Sequence, residues 1–374
     1  MIIRNSVFKA DPWGDGGARR TAQIGEILSS SGCDAFFIER PAEARRLTSI
    51  VGLLREAGFL LKSGLTLRPS ADLLANLGND LRFFRRQFER FPLGSLLLWE
   101  ATQPKFAHVP FMAKECGLKV IGLPHNLESL VPDNRSFCTG KVAPQWLPEE
   151  MRSLAACDKV FAISREDQWL LRLHGITADY LPYFPPAAVV DAMLKIREAR
   201  RAAKSGNDLL LMGTAANRPT FSGMADRLEF FAGHADAYGT LHVAGYGTER
   251  LRTFLPSNIK IILHGAVDNQ QLHSLLTSVR AAIIHQVPTS GALTRIPELL
   301  LAGVPVLANT DAARSHFCTQ GVYVYEDDAQ LLTMLTGSLA AFEVPPPSQV
   351  SLSTNFLSAV KELFAGGNLS SPVV

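Results

Sequence analysis

The feature that most constrains this chain is a punctuated rhythm of short apolar runs, each stopped by Gly, Pro, Asn or Ser, alternating with longer amphipathic stretches. In residues 1–183 the apolar runs fall at 2–8, 35–38, 95–99, 119–123 and 160–163, with helical patterns at 18–30, 71–91, 106–116 and 165–174. The segment 178–187, ADYLPYFPPA, has three prolines and reads as a stiff connector. The rhythm then restarts, with runs at 208–212, 240–243, 259–263, 281–284, 304–308 and 322–325 and helical patterns at 225–233, 270–278 and 293–302. Strand–helix alternation of this kind predicts a mostly parallel sheet covered by helices. The chain therefore reads as α/β, with a domain over 1–183, a second over 184–349, and a VPPP connector (344–347) before a last helix around 354–365. The segment 350–374 is expected to pack back on the first domain. Ligands of such sheets sit beyond the carboxyl ends of the strands, so the cleft between two facing domains is the expected active site.

Bulk properties narrow the partners. A chain of 374 residues is too long for one ordinary core and suits two. Its 47% hydrophobic and 19% charged residues are ordinary for a globular protein. A net charge of +2 argues against nucleic acid as a partner, which calls for a marked basic excess. Cys33, Cys116, Cys138, Cys157 and Cys318 show no C-x-x-C spacing, so a reducing compartment fits better than a disulfide framework or a zinc site. With no leader-like start and no run of about 18 apolar residues, a cytoplasmic protein is expected.

The most informative passage is 281–309, AAIIHQVPTSGALTRIPELLLAGVPVLAN: a buried strand, a Pro/Ser/Gly loop, a helix, a glycine stop and another strand. The amides of Ser290, Gly291, Ala292 and Leu293 would stand before the helix, where unpaired N–H groups favour a diphosphate. Gly291 would let backbone approach the phosphates closely. Arg295, in the first turn, is placed for a charge-assisted contact to a leaving group. Glu298, a turn further on, is placed to accept from two ribose hydroxyls, and His285 closes the strand entering this site. His242, His264 and His273 read as core or surface residues.

The run G-x-x-x-R-I-P-E-L-L-x-A-G-V-P-V-L resembles the donor motif of GT-B glycosyltransferases, particularly the retaining family 4. LLLMGTAANRPTFSG (209–223), LHVAGYGTERL (241–251) and IILHGAVDNQQLHSLL (261–276) resemble further family segments in the same order. The resemblance covers nearly all of 209–325 and implies a GT-B fold of two facing Rossmann-like domains, with Gly213, Arg218 and Gly245 also at the donor. Two departures stand out: the first Glu of the family's E-x7-E is Ser290 here, and no Lys partners Arg218. Leaving-group stabilisation would then rest on Arg295, Arg218 and backbone amides.

In the first domain, WGDGGARR (13–20) follows the first strand, and its glycines permit close approach of a ligand, which makes Asp15, Gly16 and Gly17 candidates. His125 and Asn126 follow the strand 119–123, where the family often has a His-Asn or His-Asp pair at the transferred sugar. An imidazole there can donate to developing charge or move a proton near neutral pH. Glu100 ends the strand 95–99, and Ser164 reads as a helix cap. The stretch LRFFRRQFERF (81–91) interleaves Arg82, Arg85 and Arg86 with Phe84 and Phe88. It reads either as a peripheral contact with an anionic membrane or lipid-linked acceptor, or as a core face of phenylalanines backed by solvated arginines.

Together these readings imply a hexosyltransferase of polysaccharide or glycoconjugate biosynthesis, working at or near the inner face of the cytoplasmic membrane. It would move a sugar from a nucleoside-diphosphate sugar to a saccharide or lipid-linked saccharide. No D-x-D-like motif stands in a suitable loop, so neither metal nor cofactor is expected and the nucleotide sugar is the co-substrate. Catalytic roles fall to His125, Arg295 and Asp15. The alternatives are an inverting transferase with Asp15 or Glu100 as base, a nucleotide-sugar epimerase, and a non-catalytic nucleotide-sugar-binding protein.

Overall fold

The computed structural model describes residues 1–38, 54, 56–63, 71–136, 139–203, 206–255, 260–343 and 350–365. Cys138 and the 344–347 connector lie outside them, as do residues 366–374 of the segment expected to pack back. Two compact units emerge, one of Met1–Pro182 with Gln349–Val374 and one of Tyr183–Ser348.

The first unit is built on a parallel sheet of β1 (Ile2–Asn5), β2 (Ala35–Phe37), β3 (Leu96–Trp99), β4 (Lys119–Gly122), β5 (Lys159–Ala162) and β6 (Ala178–Tyr180). Their order is β2-β1-β3-β4-β5-β6. β3 reads LLLW and is wholly buried, as a strand with both faces covered must be. Leu97 and Trp99 enter one core with Leu81, Phe84 and Val120. Leu96 and Leu98 enter the other with Ile24, Phe161 and Phe356. Phe356 belongs to helix Val350–Ala365 and meets Phe161 edge-on at 5.2 Å.

The second unit has β7 (Leu209–Met212), β8 (Leu241–Ala244), β9 (Ile261–Gly265), β10 (Ala281–Ile284), β11 (Val306–Asn309) and β12 (Val322–Tyr325). Their parallel order, β12-β11-β10-β7-β8-β9, is the doubly wound order of dinucleotide-binding sheets read from the far edge. Ala282 and Ile284 of β10 pack into one core and Ala281 and Ile283 into the other.

Three local readings are corrected. Residues 178–180 of the supposed connector form β6, paired to β5 through Val160–Ala178 and Ala162–Tyr180. Helix Ala187–Ala202 follows at once. Its run of Ala, Met, Leu, Lys, Arg and Glu carries high helix propensity that the flanking prolines obscured. Helix Arg218–Gly233 starts a full turn and more before the pattern at 225–233, with Pro219 in its first turn, where the missing N–H is no loss.

Because Phe356 is fully buried between helix and sheet, Phe356→Ala should cost the first unit about 3–5 kcal/mol. Urea unfolding followed by far-UV circular dichroism measures it. A loss below about 1 kcal/mol would mean that this helix is no part of the core.

Candidate active site

Strand order locates the crevices. In each sheet the order reverses at one point, between β1 and β3 and between β7 and β10, and ligands of such sheets bind beyond the carboxyl ends there.

In the first unit, Arg4 on β1 and Glu100 just after β3 form a buried ion pair across that point. Arg4 Nε donates to Oε1 at 2.6 Å and Nη2 to Oε2 at 2.9 Å. Nη2 also donates to the Thr21 carbonyl at 2.7 Å. Glu100 is thus 1% exposed and occupied by a guanidinium, which corrects the view of it as an open cleft carboxylate. Asp15 is likewise committed: it is the N-cap of helix Gly16–Ser30 and accepts from Ala18 N at 2.9 Å. Gly16 and Gly17 form the first turn of that helix. A Cβ on Gly17 would lie 2.4 Å from the Phe8 ring, so the glycine makes room for Phe8. Phe8 in turn stacks on His125, with centroids 5.2 Å apart and planes 10° apart.

His125 is half-buried, with both ring nitrogens shielded from solvent and without a protein partner. Burial pushes its pKa down to about 3, helped by Arg20 and Arg4. The imidazole is therefore neutral at neutral pH, one N–H donor and one acceptor, which corrects the reading of it as a proton carrier near pH 7. Asn126 hydrogen-bonds the Glu128 carboxylate, whose pKa burial raises. The turn itself is gripped by Glu150, which the sequence did not single out. One Glu150 oxygen accepts from Glu128 N at 2.7 Å, the other from Ser129 N at 2.9 Å and Ser129 Oγ at 2.5 Å. Burial raises the Glu150 pKa to about 7, with Glu128 adding to the rise and the Ser129 bonds opposing it.

In the second unit the ends of β7 and β8 come together through two glycines. Gly245 has φ +136°, and a Cβ there would lie 1.9 Å from the Gly213 oxygen, so only glycine fits. Over the same end of β7 lies Arg295, whose Nη1 donates to the Met212 carbonyl at 2.6 Å. A Cβ on Gly213 would sit 2.7 Å from that nitrogen. Arg295 opens helix Arg295–Leu301, preceded by the loop Ser290, Gly291, Ala292 and Leu293. Glu298, on its first turn, is 6% exposed and accepts from the Tyr183 hydroxyl at 2.8 Å. Arg218 is exposed at the head of its helix, past the β7 loop.

The loop before Arg295 is fixed by a residue sequence reasoning missed. Arg314 donates to the Gly291 carbonyl at 2.7 Å, the Ser290 carbonyl at 3.0 Å and Gln286 Oε1 at 3.0 Å. Asn309 holds Gln286 from both sides, accepting from its N–H at 3.0 Å and donating to its carbonyl at 2.9 Å. The only sequence signal was an Asn at a strand end before a short helix, an N-cap pattern.

His285 belongs to a separate cluster. Its Nδ1 lies 2.7 Å from the Tyr325 hydroxyl and its Nε2 3.4 Å from Asp226. Burial lowers its pKa to about 4, with Arg227 adding and Asp226 and Asp328 opposing. The ring is engaged by Tyr325 and Asp226, not by Arg295 or Glu298. His242 and His264 pair on the sheet surface at 2.9 Å, and Ser164 caps helix Arg165–Leu173 as expected.

The membrane reading of 81–91 is corrected. Phe84 and Phe88 are fully buried in the first core, and Phe83 and Phe91 pack against it. Arg85 is held by Glu56 and Glu115, leaving Arg86 exposed and Arg82 half-buried. Among the described residues of this stretch, the phenylalanines therefore face the core. Among the described residues no helix is long and apolar enough to cross one, and no group of three or more His, Cys, Asp or Glu could hold a metal ion.

These features define two doubly wound units, the second with glycines at its strand ends. Solved structures make the class more specific. Sucrose-phosphate synthase from Thermosynechococcus elongatus matches with TM-score 0.61 and 16% identity, over 97% of this chain and 95% of its own. The α,α-trehalose 6-phosphate synthase from Burkholderia multivorans matches with TM-score 0.62 and 10% identity, over 100% and 99%. Anabaena HepE, solved with UDP and glucose, matches with TM-score 0.55 and 11% identity, over 97% and 95%. No protein-family model matches the chain, and no curated protein does. At these identities the likeness is one of fold: the chain has the GT-B fold of two Rossmann-like units.

Titration of the buried groups gives a test of the first unit. A raised carboxyl pKa stabilises the fold fully below about 4.5, and that contribution fades as pH rises through about 7. His125 runs the other way: its contribution is complete above about 6.5 and fades as pH falls toward 3. Between pH 6 and 8, therefore, the wild type should lose about 1 kcal/mol relative to Glu150→Gln. Parallel urea titrations measure this, and equal pH slopes would show that Glu150 is ionised throughout.

Proposed function

We propose that this chain is a nucleotide-sugar-dependent glycosyltransferase. In this reading it moves a hexosyl unit from a nucleoside-diphosphate sugar to a saccharide or lipid-linked saccharide, in cytoplasmic polysaccharide or glycoconjugate biosynthesis. The observation that carries it is the convergence, at the end of β7, of the Gly213–Gly245 backbone approach and the Arg295 guanidinium. Glycines at strand ends let backbone come close to a diphosphate, and a guanidinium there can take the charge that develops on the leaving group. Glu298, oriented by Tyr183, is assigned to the ribose hydroxyls. The UDP and glucose held by Anabaena HepE, which shares this fold, support a nucleotide-sugar donor.

Catalysis on this reading is positioning plus electrostatic stabilisation of the departing diphosphate by Arg295, Arg218 and loop amides, with no metal or cofactor. His125 acts as a neutral hydrogen-bonding group toward the transferred sugar. Retention is favoured over inversion because the two carboxylates considered as bases are occupied, Asp15 by a helix N-terminus and Glu100 by Arg4.

Thermal shift with UDP, GDP, ADP and dTDP, followed by transfer and hydrolysis assays with the corresponding sugars, tests the proposal. One nucleotide should raise the melting temperature, since binding to the folded state stabilises it. Arg295→Ala should lower turnover about 100-fold or more, and Glu298→Ala should mainly raise KM for the donor. Binding and turning over no nucleotide sugar, or full activity in both variants, would overturn it.

A further inference from the structure

His242 and His264 have no role in the proposed transfer, yet their arrangement is specific. His242 lies on β8 and His264 on β9, the outermost strand of the second sheet. Residues along β9 alternate between half-buried and exposed, and Ile262 and His264 are on the exposed face. The register shifts at this point. Val243 pairs with Leu263 and Ala244 with Gly265, which leaves His264 as the extra residue of a β-bulge. Bulges bend a strand and re-aim a side chain. Here His264 Nε2 lies 2.9 Å from His242 Nδ1.

Asp208, just before β7, backs the pair. Its Oδ1 accepts from Thr240 N at 2.7 Å, and its Oδ2 lies 3.8 Å from His242 Nε2. A carboxylate on that side favours the proton on Nε2 and leaves His242 Nδ1 bare toward His264. Carboxylate, imidazole and then a lone pair is the order in which proteins orient histidine ligands of metal ions. One proton now lies between the two ring nitrogens, and an ion can take its place once His264 carries its own proton on Nδ1. Two nitrogens 2.9 Å apart, each about 2.1 Å from an ion, subtend about 90° at it. That is the angle between neighbouring ligands of octahedral and square-planar ions. The rings meet edge to edge with centroids 5.2 Å apart, so the exposed His264 ring turns for its lone pair to meet the ion. The described residues offer no group of three or more such ligands, so water completes the shell.

We propose that His242 and His264 form a two-imidazole site for a divalent transition-metal ion, oriented by Asp208, which clips the edge strand β9 to β8. Imidazole donors suit Cu2+, Ni2+ and Zn2+, whereas Mg2+ and Ca2+ take oxygen. The ion has no part in the proposed transfer, and its binding is read without turnover. The clip adjoins Gly265, whose carbonyl accepts from Gly245 N at 2.8 Å, so it also fastens the strand end that holds Gly245.

Two measurements on the chelator-treated full chain test this: thermal unfolding with Zn2+, and electron paramagnetic resonance with Cu2+. Zn2+ should raise the melting temperature saturably, because an ion bound to the folded state stabilises it, and Mg2+ should leave it in place. One equivalent of Cu2+ should give an axial spectrum whose electron spin-echo modulation counts two imidazoles. His264→Ala and His242→Ala should each abolish the Zn2+ shift and leave at most one imidazole on Cu2+. Their melting temperatures without metal show that each variant folds. Asp208→Asn keeps an acceptor for Thr240 N and should weaken Zn2+ binding about 10-fold or more. No shift specific to Zn2+, a shift of the same size in His264→Ala, or a Cu2+ spectrum with a single imidazole in the wild type overturns the proposal. Unchanged Zn2+ affinity in Asp208→Asn overturns the orienting role of that carboxylate.

Discussion

The buried Arg4–Glu100 pair is the interaction around which the first unit's chemistry is arranged. It joins the ends of the two strands that flank the switch point, and through the Thr21 carbonyl it also anchors the first helix. Two charges taken out of water are tolerated only because the geometry is bidentate, and removing one partner would strand the other at a cost of about 3–5 kcal/mol. The pair places a guanidinium near His125, where with burial and Arg20 it helps keep the imidazole neutral. Arg20, next to Thr21 on that helix, donates to the Leu181 and Pro182 carbonyls at 2.6 and 3.0 Å.

The second unit solves its corresponding problem with backbone instead of charge. Gly213 and Gly245 bring two strand ends so close that no side chain fits between them. The loop that faces Arg295 is then immobilised by Arg314 and Asn309, which bond main-chain atoms of residues 286, 290 and 291. Under the proposed donor binding, the amides of this loop would meet a ligand and could not serve its own secondary structure. Fixing it through carbonyls, as Arg314 does, leaves the donors uncommitted by that contact. Tyr183 does the same for Glu298 by holding one oxygen of the carboxylate.

The sheets were legible because parallel strands buried on both faces must be written as uninterrupted apolar runs, such as LLLW and AAII. The strand–loop–helix order around Arg295 was legible because Gly291 and Arg295 lie within one continuous passage. What escaped were partners distant in sequence: Arg4 with Glu100 is 96 residues apart, Tyr183 with Glu298 115. No periodicity or spacing encodes such pairs. The helix ending at Phe88 is a different case, since the signal was there. Leu77, Leu81, Phe84 and Phe88 recur at intervals of four, three and four, the stripe of a core-facing helix, and all four are buried. Basic residues between them drew attention to a surface that the stripe had already turned inward.

The placement of carboxylates bears on stereochemistry. An inverting transfer needs a protein base that can reach the acceptor hydroxyl and is not already bonded. Asp15 caps the first helix, Glu100 follows β3 and Glu150 lies on helix Leu147–Ala155, and each has a structural bond that a proton would weaken: a helix cap, a guanidinium, a turn. Protonating Asp15 or Glu100 in mid-reaction would loosen the elements that shape the site. Glu150 is held toward its neutral form by burial, which makes it a poor base. Under the proposed transfer, the oxygen best placed to take the acceptor's proton is then on the departing diphosphate itself, and an acceptor deprotonated by the leaving group attacks from the face that the group vacates. On that proposal the geometry retains configuration, and it asks for a guanidinium and close backbone at the leaving group, the kinds of group that meet at the end of β7.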